Sequence, residues 1–248
     1  MPTFMTEATF AQLSDARQRL ERDMLNRPDL RGLQPSNVFV PWAGSSLSVQ
    51  RGIYYVGIAV AAEDPREGQT FQGELTSTED FCGHGRHKRD HTPFWRFLDR
   101  LTRPLLGGAY NETLDRWGWS NLLKIAGNER SPNLWPAMLA KYQLEGCISS
   151  LREEFAHLKQ SLVFVASSEE YGILRHILPG EEHWNKEFEA TSGLWWIDDP
   201  QTGNLYIHSY HPNFLQRQRH FEMAIADSVE LARRILPPFV EHAESQPT

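Results

Sequence analysis

One stretch restricts the possible folds more than any other. Ile53-Tyr54-Tyr55-Val56-Gly57-Ile58-Ala59-Val60 is an almost unbroken apolar run, rich in β-branched and aromatic residues. A strand with one wet face alternates apolar and polar side chains, so a run without alternation has to be covered on both faces. Ser161-Leu162-Val163-Phe164-Val165-Ala166 repeats the pattern. A chain built around such strands needs apolar helical faces on both sides of its sheet.

The rest of the chain supplies them. Residues 6–26 show helical spacing, with Phe10, Leu13, Leu20 and Leu25 on or near one face and charged residues between them. Residues 37–42 form a short extended piece before a Gly-Ser-Ser loop. Residues 61–92 turn polar, hold no period of 2 or 3.6, and read as a long loop. Pro93 opens a helix with Phe94, Phe97, Leu98 and Leu101 at apolar positions. A second strand is expected near 119–125, a helix over 136–158, a strand over 161–166, a short helix over 169–178, a last strand over 204–210 and a long helix over 217–236. Alternating strands and helices imply right-handed crossovers. The expected fold is therefore three-layer α/β/α around a mainly parallel four-stranded sheet. It forms one domain over 1–248, with residues 1–36 as an N-terminal helical extension and 239–248 as a frayed tail.

Composition narrows the function classes. With 40% hydrophobic residues in 248, one sizeable core is available and nothing requires a second. A formal charge of -7 argues against a protein that coats nucleic acid by phosphate neutralisation, though it leaves room for a local basic face. Two cysteines, Cys82 and Cys147, imply a reducing compartment without a disulfide framework, and are too few for an all-cysteine iron-sulfur cluster. The amino terminus lacks a basic region followed by an apolar run, and residues 56–62, the longest apolar stretch, fall far short of a membrane span. The reading is a soluble cytoplasmic monomer with no membrane association.

Chemistry is expected where the last strand ends. Tyr206-Ile207-His208-Ser209-Tyr210-His211-Pro212 is a strand running into a histidine-proline turn, followed by Asn213, the apolar pair Phe214 and Leu215, and the cations Arg217 and Arg219. A His at the carboxyl end of a strand, where a loop meets a helix, places a titratable donor where open α/β sheets bind ligands. An ordinary strand-turn-helix junction would look the same.

This stretch resembles the uracil-DNA glycosylases, which carry a late strand ending in His-Pro-Ser-Pro-Leu with an Arg and a Phe shortly after. Here the order is His211, Pro212, Asn213, Phe214, Leu215, then Arg219 and Phe221. In that family an Asn at the end of an interior strand reads the flipped base, and Asn121 in Trp119-Ser120-Asn121-Leu122-Leu123-Lys124 looks like that residue. The helix bearing Phe94-Trp95-Arg96-Phe97 and the strand at 163–166 also resemble family elements, in the same order and over about residues 53–236.

The first family motif is where the sequence departs. The family expects Gly-x-Asp-Pro or Gly-x-Asn-Pro after the first strand. Gly57-Ile58-Ala59-Val60 has the right place but neither polar residue nor proline. In that register, Gly57 and the Ala59 backbone would border the base and Phe71 would stack on it. The alternative, Ala62-Glu63-Asp64-Pro65, keeps Asp-Pro but replaces the glycine.

The resemblance implies a cofactor-free DNA glycosylase that flips a uracil-like, damaged or modified base and hydrolyses its N-glycosidic bond. His211 would donate to the departing base, Asn121 would read its edge, and Asp64 would stabilise the positive sugar and orient water. Leu215, with Phe214, would fill the gap in the duplex while Arg217 and Arg219 hold phosphates. A catalytically silent nucleic-acid-binding relative is the alternative. An unrelated α/β hydrolase is disfavoured by the lack of a Gly-x-Ser-x-Gly elbow or a phosphate-loop lysine. Cys82, His84, His87 and His91 could in principle hold zinc, but Arg86, Lys88 and Arg89 among them disfavour a cation, and a loop touching phosphates fits better. No metal is expected.

Overall fold

The computed structural model describes residues 3–27, 35–47, 49–58, 69–84, 92–127, 135–167 and 173–239. Among the described residues six strands form one mixed, mostly parallel sheet: β1 (Trp42–Ala43), β2 (Ile53–Gly57), β3 (Trp117–Asn121), β4 (Leu162–Ala166), β5 (Leu194–Asp198) and β6 (Leu205–Ser209). Their order is β1-β3-β2-β4-β6-β5. The four inner strands are parallel, and each edge strand adds antiparallel. The expected sheet of four strands is thus the inner part of a sheet of six. The two missing strands are a two-residue edge and one whose Trp195, Trp196 and Ile197 are only half buried, so neither shows the pattern of a covered strand.

The seven described helices are α1 (Glu7–Leu25), α2 (Phe71–His84), α3 (Pro93–Leu106), α4 (Trp135–Ala156), α5 (Glu189–Ser192), α6 (Pro212–Arg217) and α7 (Phe221–Ile235). Every side chain of β2, β3 and β4 is buried, and the alternation divides the apolar ones between two cores. Tyr54, Val56, Val163 and Val165 join one core with α1 and α4. Ile53, Tyr55, Leu162 and Phe164 join the other with α3 and α7. Helices therefore cover both faces of the strand that the sequence marked as doubly buried.

Local chemistry sets the helix ends. Thr6 caps α1 by accepting from the Thr9 N–H at 3.2 Å, and Phe10, Leu13, Ala16, Leu20 and Met24 form the buried face. Leu25, expected on that face, is 88% exposed because the helical register puts Met24 there instead. A Cβ on Gly146 would stand 2.6 Å from Leu13 Cδ2, so α1 and α4 approach at a point where only glycine fits. Thr92 caps α3 and Gly107 ends it with φ +82°.

Two further expectations change. Residues 71–84 of the presumed loop form α2, whose composition carries no apolar stripe. The long helix expected over 217–236 starts only at Phe221, as α7, and a short helix, α6, precedes it across a turn in which Arg219 adopts φ +63°. Neither cysteine forms a disulfide, both are buried, and burial pushes the Cys147 thiol up to about 12. Among the described residues no helix is long and apolar enough to cross a membrane, and no group of three His, Cys, Asp or Glu could hold a metal. Cys82 itself sits in the second core, while His87 and His91 lie outside the described residues.

Candidate functional site

The parallel inner strands all end on the same side of the sheet, and β2, β3 and β6 each deliver one of the expected residues there. Gly57 closes β2 and pairs in register with Asn121, which closes β3. The Asn121 side chain lies across Gly57: a Cβ at position 57 would be 2.6 Å from Asn121 Oδ1 and 3.1 Å from Phe94 Cε2. Glycine is required for that arrangement. Asn121 is 1% exposed, and among the described residues its Nδ2 has no hydrogen-bond partner. A buried donor left without a partner is disfavoured by about 1 to 3 kcal/mol, so an acceptor reaching this position would be stabilising.

The Asn121 backbone is held from behind. Its carbonyl accepts from Lys124 Nζ at 2.8 Å, and that ammonium pairs at 2.7 Å with Glu154 Oε1, both side chains being fully buried. Glu154 Oε2 accepts from the Tyr54 hydroxyl at 2.8 Å. Burial and the neighbouring carboxylate raise the Tyr54 pKa well above its ordinary value, so the phenol stays a donor.

His211 follows β6 and caps α6. Its Nδ1 accepts from the Asn213 N–H at 3.2 Å, and its ring stacks on Phe94 with centroids 6.0 Å apart. Burial, then the nearby Arg217, lowers its pKa from 6.5, which favours the neutral ring at neutral pH. With Nδ1 occupied as an acceptor, the proton of that neutral ring sits on Nε2 as a donor.

These residues line one cavity of about 400 Å³, within the size range of small-molecule sites. Its apolar wall is Phe39, Phe81, Phe94, Trp95 and Trp119. Asn37, Glu74, Ser77 and Thr78 add a second polar group to the lining. Strand order fixes how the cavity runs. His211 leaves β6 on one side of β2, whereas Asn121 leaves β3 on the other, and α2 packs against β1 beyond β3. Glu74 from α2 and His211 from the turn after β6 both line it, with Gly57 and Asn121.

The structure places the expected residues unevenly. His211, Asn121 and Gly57 come together. Phe71 does not reach them: it stands at the start of α2, edge-on to Phe10 at 5.4 Å and against the other core, while Phe81 of the same helix lines the cavity. Leu215 is 1% exposed and packs in the second core, which removes it as a wedge, whereas Phe214 beside it is 38% exposed. Arg217 and Arg219 are exposed on the same turn. Ala59, Glu63 and Asp64 lie outside the described residues. Sequence reading missed Glu74, Ser77, Thr78 and Phe81, which share one side of α2 at i, i+3, i+4, i+7 but carry no apolar periodicity. It also missed Trp119, which shares a strand face with Asn121.

Gly57→Ala tests the geometry directly. The added methyl has to displace the end of Asn121, so ligand binding in the cavity is expected to fall about tenfold or more, while thermal melting shifts little because the clash falls on a side-chain tip. A large melting shift with unchanged binding would count against this packing. In comparisons with known proteins, no family model matches the chain. No curated protein matches it in sequence.

Proposed function

We propose that this protein is a DNA glycosylase with a uracil-DNA-glycosylase-like three-layer fold, acting on a uracil-like, damaged or modified base. The observation that carries the reading is the convergence of Gly57, Asn121 and His211 on one aromatic-walled cavity, with a donor on Asn121 held unpaired. In the proposed reaction the base enters the cavity out of the stack and lies against the aromatic wall. His211 Nε2–H donates to the negative charge that develops on the departing base, in a site already arranged for it. The Asn121 amide, fixed through Lys124 and Glu154, reads the base edge. Asp64 would stabilise the positive sugar and orient water.

The turn after the cavity supports a DNA contact. Phe214 is the exposed apolar side chain next to two cations, and an inserted aromatic offsets the few kcal/mol of unstacking. Phe214→Ala is expected to reduce base release from duplex about tenfold more than from single strands. Leu215→Ala is expected instead to lower stability by about 2 to 5 kcal/mol, as for other buried leucines. Equal losses on both substrates for Phe214→Ala would remove the wedge from the proposal.

The deciding experiment incubates the protein with uracil, hypoxanthine and modified-cytosine oligonucleotides and then treats them with alkali. Strand breaks at the target base are expected. DNA binding without breaks would favour the catalytically silent relative, and neither binding nor breaks would end the glycosylase reading.

A further inference from the structure

The arginines beside the cavity are not equivalent. Arg96 follows Phe94 and Trp95 on α3, two residues that line the cavity, and itself lines a groove of about 300 Å³ that shares Trp95 as a wall. Arg100 and Arg103 line the same groove, one and two turns further along the helix. Both are neutralised: Arg100 pairs with Glu222 of α7, and Arg103 Nε stands 2.8 Å from Asp99 Oδ2. Arg96 makes neutral contacts instead. Its Nη2 donates to Gln216 Oε1 at 3.0 Å, and its guanidinium lies over the Phe221 ring, 5.9 Å from the centroid. The exposed side chain is thus oriented while its charge is left uncompensated.

Gln216 ties Arg96 to α6, which ends in Arg217. Arg217 is close enough to His211 for its charge to disfavour the imidazolium, and Arg219 is exposed two residues on. Among the described residues none of these three arginines pairs with a carboxylate. On a chain of formal charge -7, they form a local exception to the overall charge, on adjoining elements beside the cavity. Phosphate is the ligand class that fits. A guanidinium presents five N–H donors in a fork that matches phosphate oxygens, and the Gln216 contact engages one of the five. A single phosphate gains little from one exposed guanidinium, whereas a nucleic-acid strand offers successive phosphates to all three.

We infer that Arg96 is a phosphodiester-binding residue, which together with Arg217 and Arg219 holds the backbone of the strand whose base enters the cavity. This rests on the cavity being the base pocket of the proposed glycosylase. Held phosphates fix where the strand stands and carry no sequence information, so Arg96 serves every substrate base alike. Arg100 and Arg103, already neutralised, take no part.

The test titrates a fluorescein-labelled, undamaged oligonucleotide duplex with the full chain by anisotropy over a series of salt concentrations, and reads the slope of log affinity against log salt. Each phosphate neutralised by a cation contributes about 0.9 to the magnitude of that slope. Arg96→Gln, whose amide can still donate to Gln216, is expected to make the slope shallower by about 0.9 and to weaken binding several-fold at low salt, with thermal melting unchanged. Arg19→Gln makes the same change in net charge on α1, which packs in the core on the other face of the sheet from α3, and should leave the slope as in the wild type. An unchanged slope in Arg96→Gln, or an equal loss in Arg19→Gln, would overturn the inference. Displacement of the duplex by inorganic phosphate at constant ionic strength would also overturn it, by marking a site for free phosphate. The alkali assay separates the two readings: abasic sites together with a slope indifferent to Arg96 would sink only this inference, whereas no binding of any DNA would sink both.

Discussion

His211→Ala is expected to lower single-turnover base release by at least about a hundredfold while leaving DNA affinity nearly unchanged. The physical reason lies in when the interaction is made. Before the bond breaks, the base is neutral and a hydrogen bond from Nε2–H gains little over water. As the bond breaks, negative charge accumulates on the base, and the donor acts on that charge alone. His211 is arranged for this: the Asn213 N–H occupies Nδ1, Phe94 holds the ring plane, and burial disfavours the imidazolium. Truncation removes one ring contact of Phe94, which keeps Tyr55 and Trp95, and the side-chain cap of α6, but no core side chain, so folding should survive. His211→Gln, which can still donate from an amide, should recover part of the rate. A His211→Ala protein with wild-type release would remove His211 from the mechanism and, with it, the main support for the glycosylase reading.

The site residues that could be read from the sequence are those whose position in the fold follows from strand ends. An uninterrupted apolar run fixes a central strand, and the residue after its end faces the ligand side of a parallel sheet; His211 was accessible this way, whereas Gly57 and Asn121 came only through the family resemblance, because the expected strands run past them to 60 and 125. The face of α2 was not. Glu74, Ser77 and Thr78 line a cavity instead of packing into a core, so no apolar stripe marks their helix, and 71–84 reads as loop. Leu215 and Phe214 show a second limit. Both are apolar and adjacent on a six-residue helix, where helical spacing cannot say which turns inward, and only the packing under α6 does. The break at Arg219 left no trace because a non-glycine residue at φ +63° obeys no sequence rule. The edge strands β1 and β5 escaped because pairing with a neighbour, not their own pattern, makes them strands.

The largest effect on stability is expected from the charge pair behind Asn121. Lys124 and Glu154 are both fully buried, with 2.7 Å between Nζ and Oε1, and each makes further bonds that neutral partners would make less well. Removing one charge leaves the other desolvated and uncompensated, so Lys124→Met and Glu154→Gln are each expected to destabilise the protein by roughly 3 to 5 kcal/mol. Urea unfolding would show this as a lower midpoint with little change in slope. The double variant removes both charges, and its Gln can still accept from Tyr54, so it should be more stable than either single variant, as replacement of whole buried pairs commonly is. Stability and function then separate. Neither Lys124→Met nor the double variant retains the donor to the Asn121 carbonyl, so base binding should stay weakened in the double variant even where its stability recovers. Should the double variant regain binding along with stability, Lys124 would be a packing residue only, and Asn121 would owe its position to Gly57 and the β2–β3 ladder alone.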